Sequence, residues 1–297
     1  MQPIYYIIIT PFIIILLGIL YLIIRNYNTI DYFANYIRDI NKSRHFNDYI
    51  RSIDKKMYNI KIQNLKSGSD FKSEYIKNLM IVNPKFNTIL NKSVLKCNKL
   101  TKSIPIFQKY KWKFFMSKSA LELDMPFTLH DSIILPENLL NDTYLYYIRS
   151  NKISDQFINL LIHEKIHIIQ RFNQGKFNNI YKKLYPFVSR INIDRKLNLN
   201  IDNHMNNPDS NNTIWIYRID NIEYNTFLQY NKGYLKSVGK RLDNSDEIDL
   251  DQIRAKNGFD NDVSMYHPNE IFACIAAKNI ENKMLRTNEI QFLRLLK

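Results

Sequence analysis

Phe157-Ile-Asn-Leu-Leu-Ile-His-Glu-Lys-Ile-His-Ile-Ile-Gln170 is the stretch on which the reading of this chain turns. Wound at helical period it is apolar nearly all round, and Ser154 with Asp155 supplies an N-cap and a first-turn acid just ahead of it, so a helix is predicted here. A helix of that kind is buried. The ionisable side chains inside it are therefore informative, because an unpaired imidazole or carboxylate in a core is costly.

His163 and His167 lie one turn apart on one helix face, where two imidazoles can reach a single Zn²⁺, and Glu164 between them sits beside a water on that ion. Zinc draws the pKa of such a water towards about 7, and a carboxylate can take its proton and later pass it to a leaving amine. Glu164 is the candidate base. With 6 His in 297 residues, independent placement yields the His-Glu-x-x-His pattern in roughly a few chains per thousand. A catalytic zinc also needs a third protein ligand. Downstream, Tyr266-His-Pro-Asn-Glu270-Ile-Phe-Ala-Cys-Ile-Ala-Ala277 reads as a second helix with Pro268 in its first turn. Ala273, Cys274 and Ala277 would let it pack closely on the first helix and aim Glu270 at the metal. Glu270 thus reads in two ways, as the third ligand or as a first-turn carboxylate favoured by the helix dipole.

Together these segments resemble the gluzincin class of zinc metallopeptidases, in which a His-Glu-x-x-His helix supplies two ligands and a Glu on a later helix the third. The resemblance implies His163, His167 and Glu270 as zinc ligands, Glu164 as general base, and a peptide or protein substrate. It implies an α+β zincin-like domain, mostly helical, with a small mixed sheet whose edge strand binds extended substrate. Trp112 to Leu135 stands in the right order to supply that strand. Two departures stand out: about a hundred residues separate the helices, and Cys274 occupies the position four after Glu270 where several families carry an Asp that orients a ligand His. Asp209, Asp220 and Glu223 are candidates for orienting the ligands instead. Tyr266, His267 and His204 are candidate donors to an oxyanion, though the reading of each as an ordinary packed or surface residue is the stronger one. His45 and His130 fall in no pattern.

Outside these helices, Ile4 to Ile24 is an uncharged apolar run of about 20 residues, the length of a membrane-crossing helix. Arg25, Arg38, Lys42 and Arg44 follow it and no Lys or Arg precedes it, which places the body of the chain on the cytosolic side. The expected organisation is a transmembrane anchor over 1–27 held in the lipid bilayer, a helical segment over 28–103 and the metallopeptidase domain over 104–297. The expected localisation is a single-pass membrane protein with its catalytic domain in the cytosol or a virion interior. Between Thr29 and Ser103 helical spacing recurs, in Tyr32, Phe33, Tyr36 and Ile37 and again in Ile89, Leu90 and Leu95. Short β-rich runs follow at Lys111–Phe115 and Asp131–Leu135. Asn198 to Thr213 reads as a loop and Leu242 to Asp251 as an acidic stretch.

The composition excludes several classes. Only 6 Gly rules against glycine-rich phosphate cradles, and Cys97 and Cys274 form neither a disulfide framework nor a cysteine zinc site. The net charge of +14 is scattered among Asn, Ile and Tyr rather than gathered in a basic block, as in chains from AT-rich genomes such as those of large DNA viruses. No specific nucleic-acid partner is expected. The alternative to a peptidase is an inactive zincin-like structural or virion membrane protein that keeps the framework without the chemistry.

Overall fold

The computed structural model describes residues 35–63, 65–118, 121–192, 204–210, 213–231, 233–244 and 246–296. The chain divides into two compact units, 1–42 and 43–297. Of the first unit, residues 35–42 are described, and they are helical.

The second unit starts with α1 (Arg44–Ser52), a helical turn at Tyr58–Lys61, α2 (Phe71–Lys77) and α3 (Asn87–Leu100). Side chains at their starts do the capping the sequence offers: Ser43 accepts from the Phe46 N–H and Asp70 from the Ser73 N–H. A four-stranded sheet follows, built from β1 (Leu79–Met80), β2 (Phe114–Ser117), β3 (Phe127–Leu129) and β4 (Ser132–Pro136) in the order β1-β2-β4-β3. The pair β2 and β4 is parallel; β3 returns antiparallel to β4 and is an edge. Then come α4 (Glu137–Ser150), α5 (Asp155–Phe172) and α6 (Gln174–Leu184).

A second sheet of five antiparallel strands occupies the long interval before the next helix: β5 (Val188–Asn192), β6 (Ile214–Ile219), β7 (Ile222–Asn231), β8 (Tyr234–Arg241) and β9 (Glu247–Asp249). The chain closes with α7 (Pro268–Glu281) and α8 (Asn288–Leu295). Helices α5 and α7 pack directly against each other in the centre of the core. Leu161, Ile162, Ile166 and Ile169 on α5 are fully buried, as are Ala273, Ala276 and Ala277 on α7. Each large aliphatic side chain withdrawn from water in this way contributes about 1.5–3 kcal/mol, and the alanines let the two backbones approach.

Two expectations are corrected. The fold is not a mostly helical domain with one small sheet but, among the described residues, a mixed α/β structure with two sheets. The membrane localisation falls with it: no helix among the described residues is long and apolar enough to cross a membrane. The longest described helix, α5, has its apolar run broken by Glu164, Lys165 and Arg171. The Ile4 to Ile24 run itself lies outside the described residues.

One buried ion pair ties the first helices to the sheets. Lys61, 1% exposed, donates to the Tyr49 hydroxyl at 3.0 Å, to Glu122 and to the Asn206 carbonyl. Glu122, 2% exposed, also accepts from Tyr49 and, at 2.8 Å, from Tyr75. Burial lowers the Lys61 pKa against the pull of Glu122. Glu122, Leu123 and Asp124 all have positive φ (53°, 59° and 57°), a backbone state that costs L-residues roughly 1–2 kcal/mol each. The ion pair holds that strained turn in place. Removing one partner strands a buried charge, so Lys61→Met is expected to lower stability by about 3–5 kcal/mol in urea titrations, whereas Lys61→Met with Glu122→Leu recovers most of that loss.

Candidate metal centre

Helix α5 begins as its sequence dictates, with the Ser154 hydroxyl accepting from the Phe157 N–H at 3.2 Å. That start sets the rotation of the helix and turns His163, Glu164 and His167 towards α7 and a cavity of about 190 Å³. Helix α7 starts at Pro268, capped by His267, and brings Glu270 to the same place. The two histidine Nε2 atoms are 2.9 Å apart, and the Glu270 Oε2 lies 3.5 Å from each. Two Nε2 atoms that both lack hydrogen cannot face each other at that distance without setting lone pair against lone pair; a neutral pair avoids this when one imidazole carries its hydrogen on Nε2 and donates to the other. The arrangement calls for a proton or a cation between them.

The triangle has dimensions that a metal can use. Its circumscribed circle has a radius of about 1.9 Å, so a point about 2.0–2.1 Å from all three atoms exists just off its plane, which is the zinc–nitrogen and zinc–oxygen length. Two imidazoles and a carboxylate are a donor set that zinc takes. His163, His167 and Glu270 are the one such cluster among the described residues.

His167 and Glu270 are each oriented by a further contact. The Gln170 amide nitrogen donates to the Asn269 carbonyl at 2.9 Å, which leaves its oxygen facing the His167 Nδ1 at 2.8 Å. Nδ1 therefore carries hydrogen and Nε2 presents its lone pair to the site. The Glu270 Oε1 accepts from the Asn207 amide at 3.1 Å and the Tyr266 hydroxyl at 3.2 Å, so Oε2 is left for the cluster. The Asp209 N–H donates to the Asn207 side-chain oxygen at 2.9 Å and so fixes which end of that amide meets Glu270. Cys274, on α7, lies close enough to His163 to raise its pKa.

The electrostatics follow from burial and proximity. Burial raises the Glu270 pKa, yet His167 and His163 outweigh it and hold the carboxyl well below the usual range. Burial depresses both imidazoles, but Cys274 and Glu270 raise His163 overall, and Glu270 with Asp209 raises His167. Glu164 behaves oppositely. Burial, helped by Asp209, pushes it up to about 7, and its Oε2 has no hydrogen-bond partner.

No known family model, curated protein or solved structure matches the chain.

Of the residues singled out from sequence, His163, Glu164, His167, Glu270 and Tyr266 are brought together. His267 is not: its Nδ1 accepts from the Asn269 N–H at 3.0 Å and its Nε2 meets the Thr213 hydroxyl at 2.9 Å, which makes it a buried helix cap. His204 bridges to Gln229 away from the cavity wall. Asp220 sits in an exposed turn with Lys256, and Glu223 pairs with Arg190 and Arg218 on the surface. Asp209 is buried against Arg171 and does not touch the ligands directly. Gln170 and Asn207 were missed. Gln170 could have been found as a polar residue one turn beyond His167 on an apolar helix; Asn207 stands in an Asn-rich run with nothing to distinguish it.

Burial lowers the His267 pKa to about 3, with Glu270 opposing. Because the folded pKa lies below the unfolded value of about 6.5, the unfolded chain binds the extra proton, and stability present above that pH is lost as pH falls towards 3. His267→Asn keeps a capping oxygen but cannot titrate. Between pH 6 and 4, metal-free wild type is expected to lose up to about 1.4 kcal/mol per pH unit more than the variant in urea denaturation.

Proposed function

We propose that this chain is a zinc-dependent hydrolase acting on peptide bonds. The observation that carries the proposal is the convergence of His163, His167 and Glu270 on one point beside the unpartnered, buried carboxyl of Glu164. A buried carboxyl with no partner is a liability in a purely structural helix, and beside a metal-bound water it is what a general base requires. Zinc at such a site supplies Lewis acidity, polarising a carbonyl and making water nucleophilic near neutral pH.

The chain's own groups supply the rest. Glu164 is placed to take a proton from an attacking water and to return it to the departing amine. Gln170 holds the His167 tautomer, and Asn207 with Tyr266 hold Glu270 to one free oxygen. The Tyr266 hydroxyl lines the adjoining cavity, and its one hydrogen is committed to Glu270, so its part is to orient that ligand.

Full-length protein purified without chelator is expected to hold one zinc per chain and to cleave a random peptide mixture. Folded wild type with no stoichiometric zinc would end the proposal. Glu164→Gln is expected to keep the zinc and lose at least about a thousandfold in turnover, and His163→Ala to lose the zinc itself. Gln170→Ala acts one contact further out and should weaken zinc binding by about 10–100-fold, read by competition with a chromophoric chelator.

A further inference from the structure

A peptidase that reads extended substrate needs a free strand edge beside its metal, and the edge expected from sequence is closed. On β3 the Thr128 N–H donates to Asp209 at 3.2 Å and the Thr128 carbonyl accepts from Arg171 at 3.1 Å. Phe127, Thr128 and Leu129 are all buried. The chain's own 204–210 segment thus occupies the flank of β3, and no second strand can pair there.

Another edge borders the same centre. A larger cavity of about 550 Å³ shares Met125, Asn207, Leu228 and Glu270 with the metal cavity. Tyr234, Leu235, Lys236 and Ser237 line it consecutively. Side chains alternate between the two faces of a strand, so a groove touching four residues in a row meets the strand edge-on. That strand is β8, whose outer neighbour β9 pairs only with Val238, Gly239 and Lys240.

The register tells which groups are exposed on that flank. The Leu242 N–H donates to the Glu223 carbonyl, so even-numbered residues of β8 face β7. The Ser237 carbonyl accepts from Leu250 and the Arg241 N–H donates to Asp246, so odd-numbered residues face the other way. Leu235 therefore turns its N–H and C=O outward, and no described strand pairs with it there. The groove's charges are matched among themselves, Lys236 with Asp249 at 3.2 Å and Arg254 with Asp251 at 3.1 Å. Such a groove favours neither acidic nor basic side chains and leaves main-chain pairing as the means of recognition.

The geometry points to β8, at Tyr234–Ser237, as the edge onto which an extended polypeptide substrate adds as a strand, carrying its scissile bond towards Glu270 and the metal centre. This inference rests on the hydrolase reading above and names its substrate class and binding edge.

Hydrogen exchange on zinc-loaded, full-length Glu164→Gln tests it, with a mixture of random-sequence decapeptides as probe. Exchange of the Leu235 amide is expected to slow at least tenfold on adding the peptides, with the Thr128 amide unchanged. Leu235→Pro removes the outward-facing N–H without taking a hydrogen bond from the pairing with β7, and it should weaken decapeptide binding about tenfold while zinc affinity stays the same. Peptide binding with protection at 127–129, or with none at Leu235, overturns the β8 assignment and leaves the hydrolase reading standing. If zinc-loaded wild type neither cuts nor binds the decapeptides, the hydrolase reading fails and this inference falls with it.

Discussion

A helix that is apolar on every side tolerates polar groups only where something meets them, and α5 carries five between positions 163 and 170. Lys165 is met on the rear face by the carbonyls of Tyr110 and Lys111 at 2.6 and 2.7 Å, with the Trp112 ring beneath it at 4.7 Å; burial lowers its pKa to about 7. Gln170 is met by Asn269, and the two imidazoles face Glu270. Glu164 alone keeps a buried oxygen without a partner. Lys165, on this same helix, finds acceptors even though burial disfavours its charge, whereas Glu164 lines the cavity and the demand of its Oε2 for a partner is not met.

The second sheet turns that demand into a site. The segment 204–210 enters from beside β7, where the Met205 N–H donates to the Leu228 carbonyl at 2.7 Å. Within a few residues it anchors Glu270 through Asn207 and closes β3 through Asp209. Lys61 grips the same segment at the Asn206 carbonyl. Residues distant in sequence thus meet on one strip of backbone. Its position fixes the free oxygen of Glu270 and closes the flank of β3.

How much of this was legible follows from where the information sits. The helix cap at Ser154, the i, i+4 histidines and the helix opening at Pro268 are local, and spacing alone exposes them. Strand-forming runs at Lys111–Phe115 and Asp131–Leu135 were also visible, because β-branched and aromatic residues cluster there, and the strands themselves fall at Phe114–Ser117 and Ser132–Pro136. The five-stranded sheet was not. Its strands mix Asn, Lys and Arg with Ile, Tyr and Thr, and burial on both faces in β6 and β7 blurs the alternation that would mark them. The hundred-residue gap between the two helices, noted only as an oddity, is where that sheet sits. Leu95 was grouped with buried Ile89 and Leu90 by helical spacing, yet it is 70% exposed, since α3 presents only part of that stripe to the core. Asn207 was illegible because its role depends on a contact 63 residues away in sequence.

The two carboxylates of the centre show how one environment assigns opposite roles. Both are buried, and burial raises both. Glu270 faces the two Nε2 atoms directly and is pulled back into the ionised range, as a ligand must be. Glu164, with Asp209 near and its oxygen unpartnered, stays up at about 7. A pair of acids driven apart in this way is the usual mark of divided labour between a charged anchor and a proton carrier. A dication at the centre of the triangle would act on Glu164 as a nearby positive charge and draw its pKa down. The base form would then be most populated when the centre is filled, which couples the readiness of Glu164 to the occupancy of the site it serves.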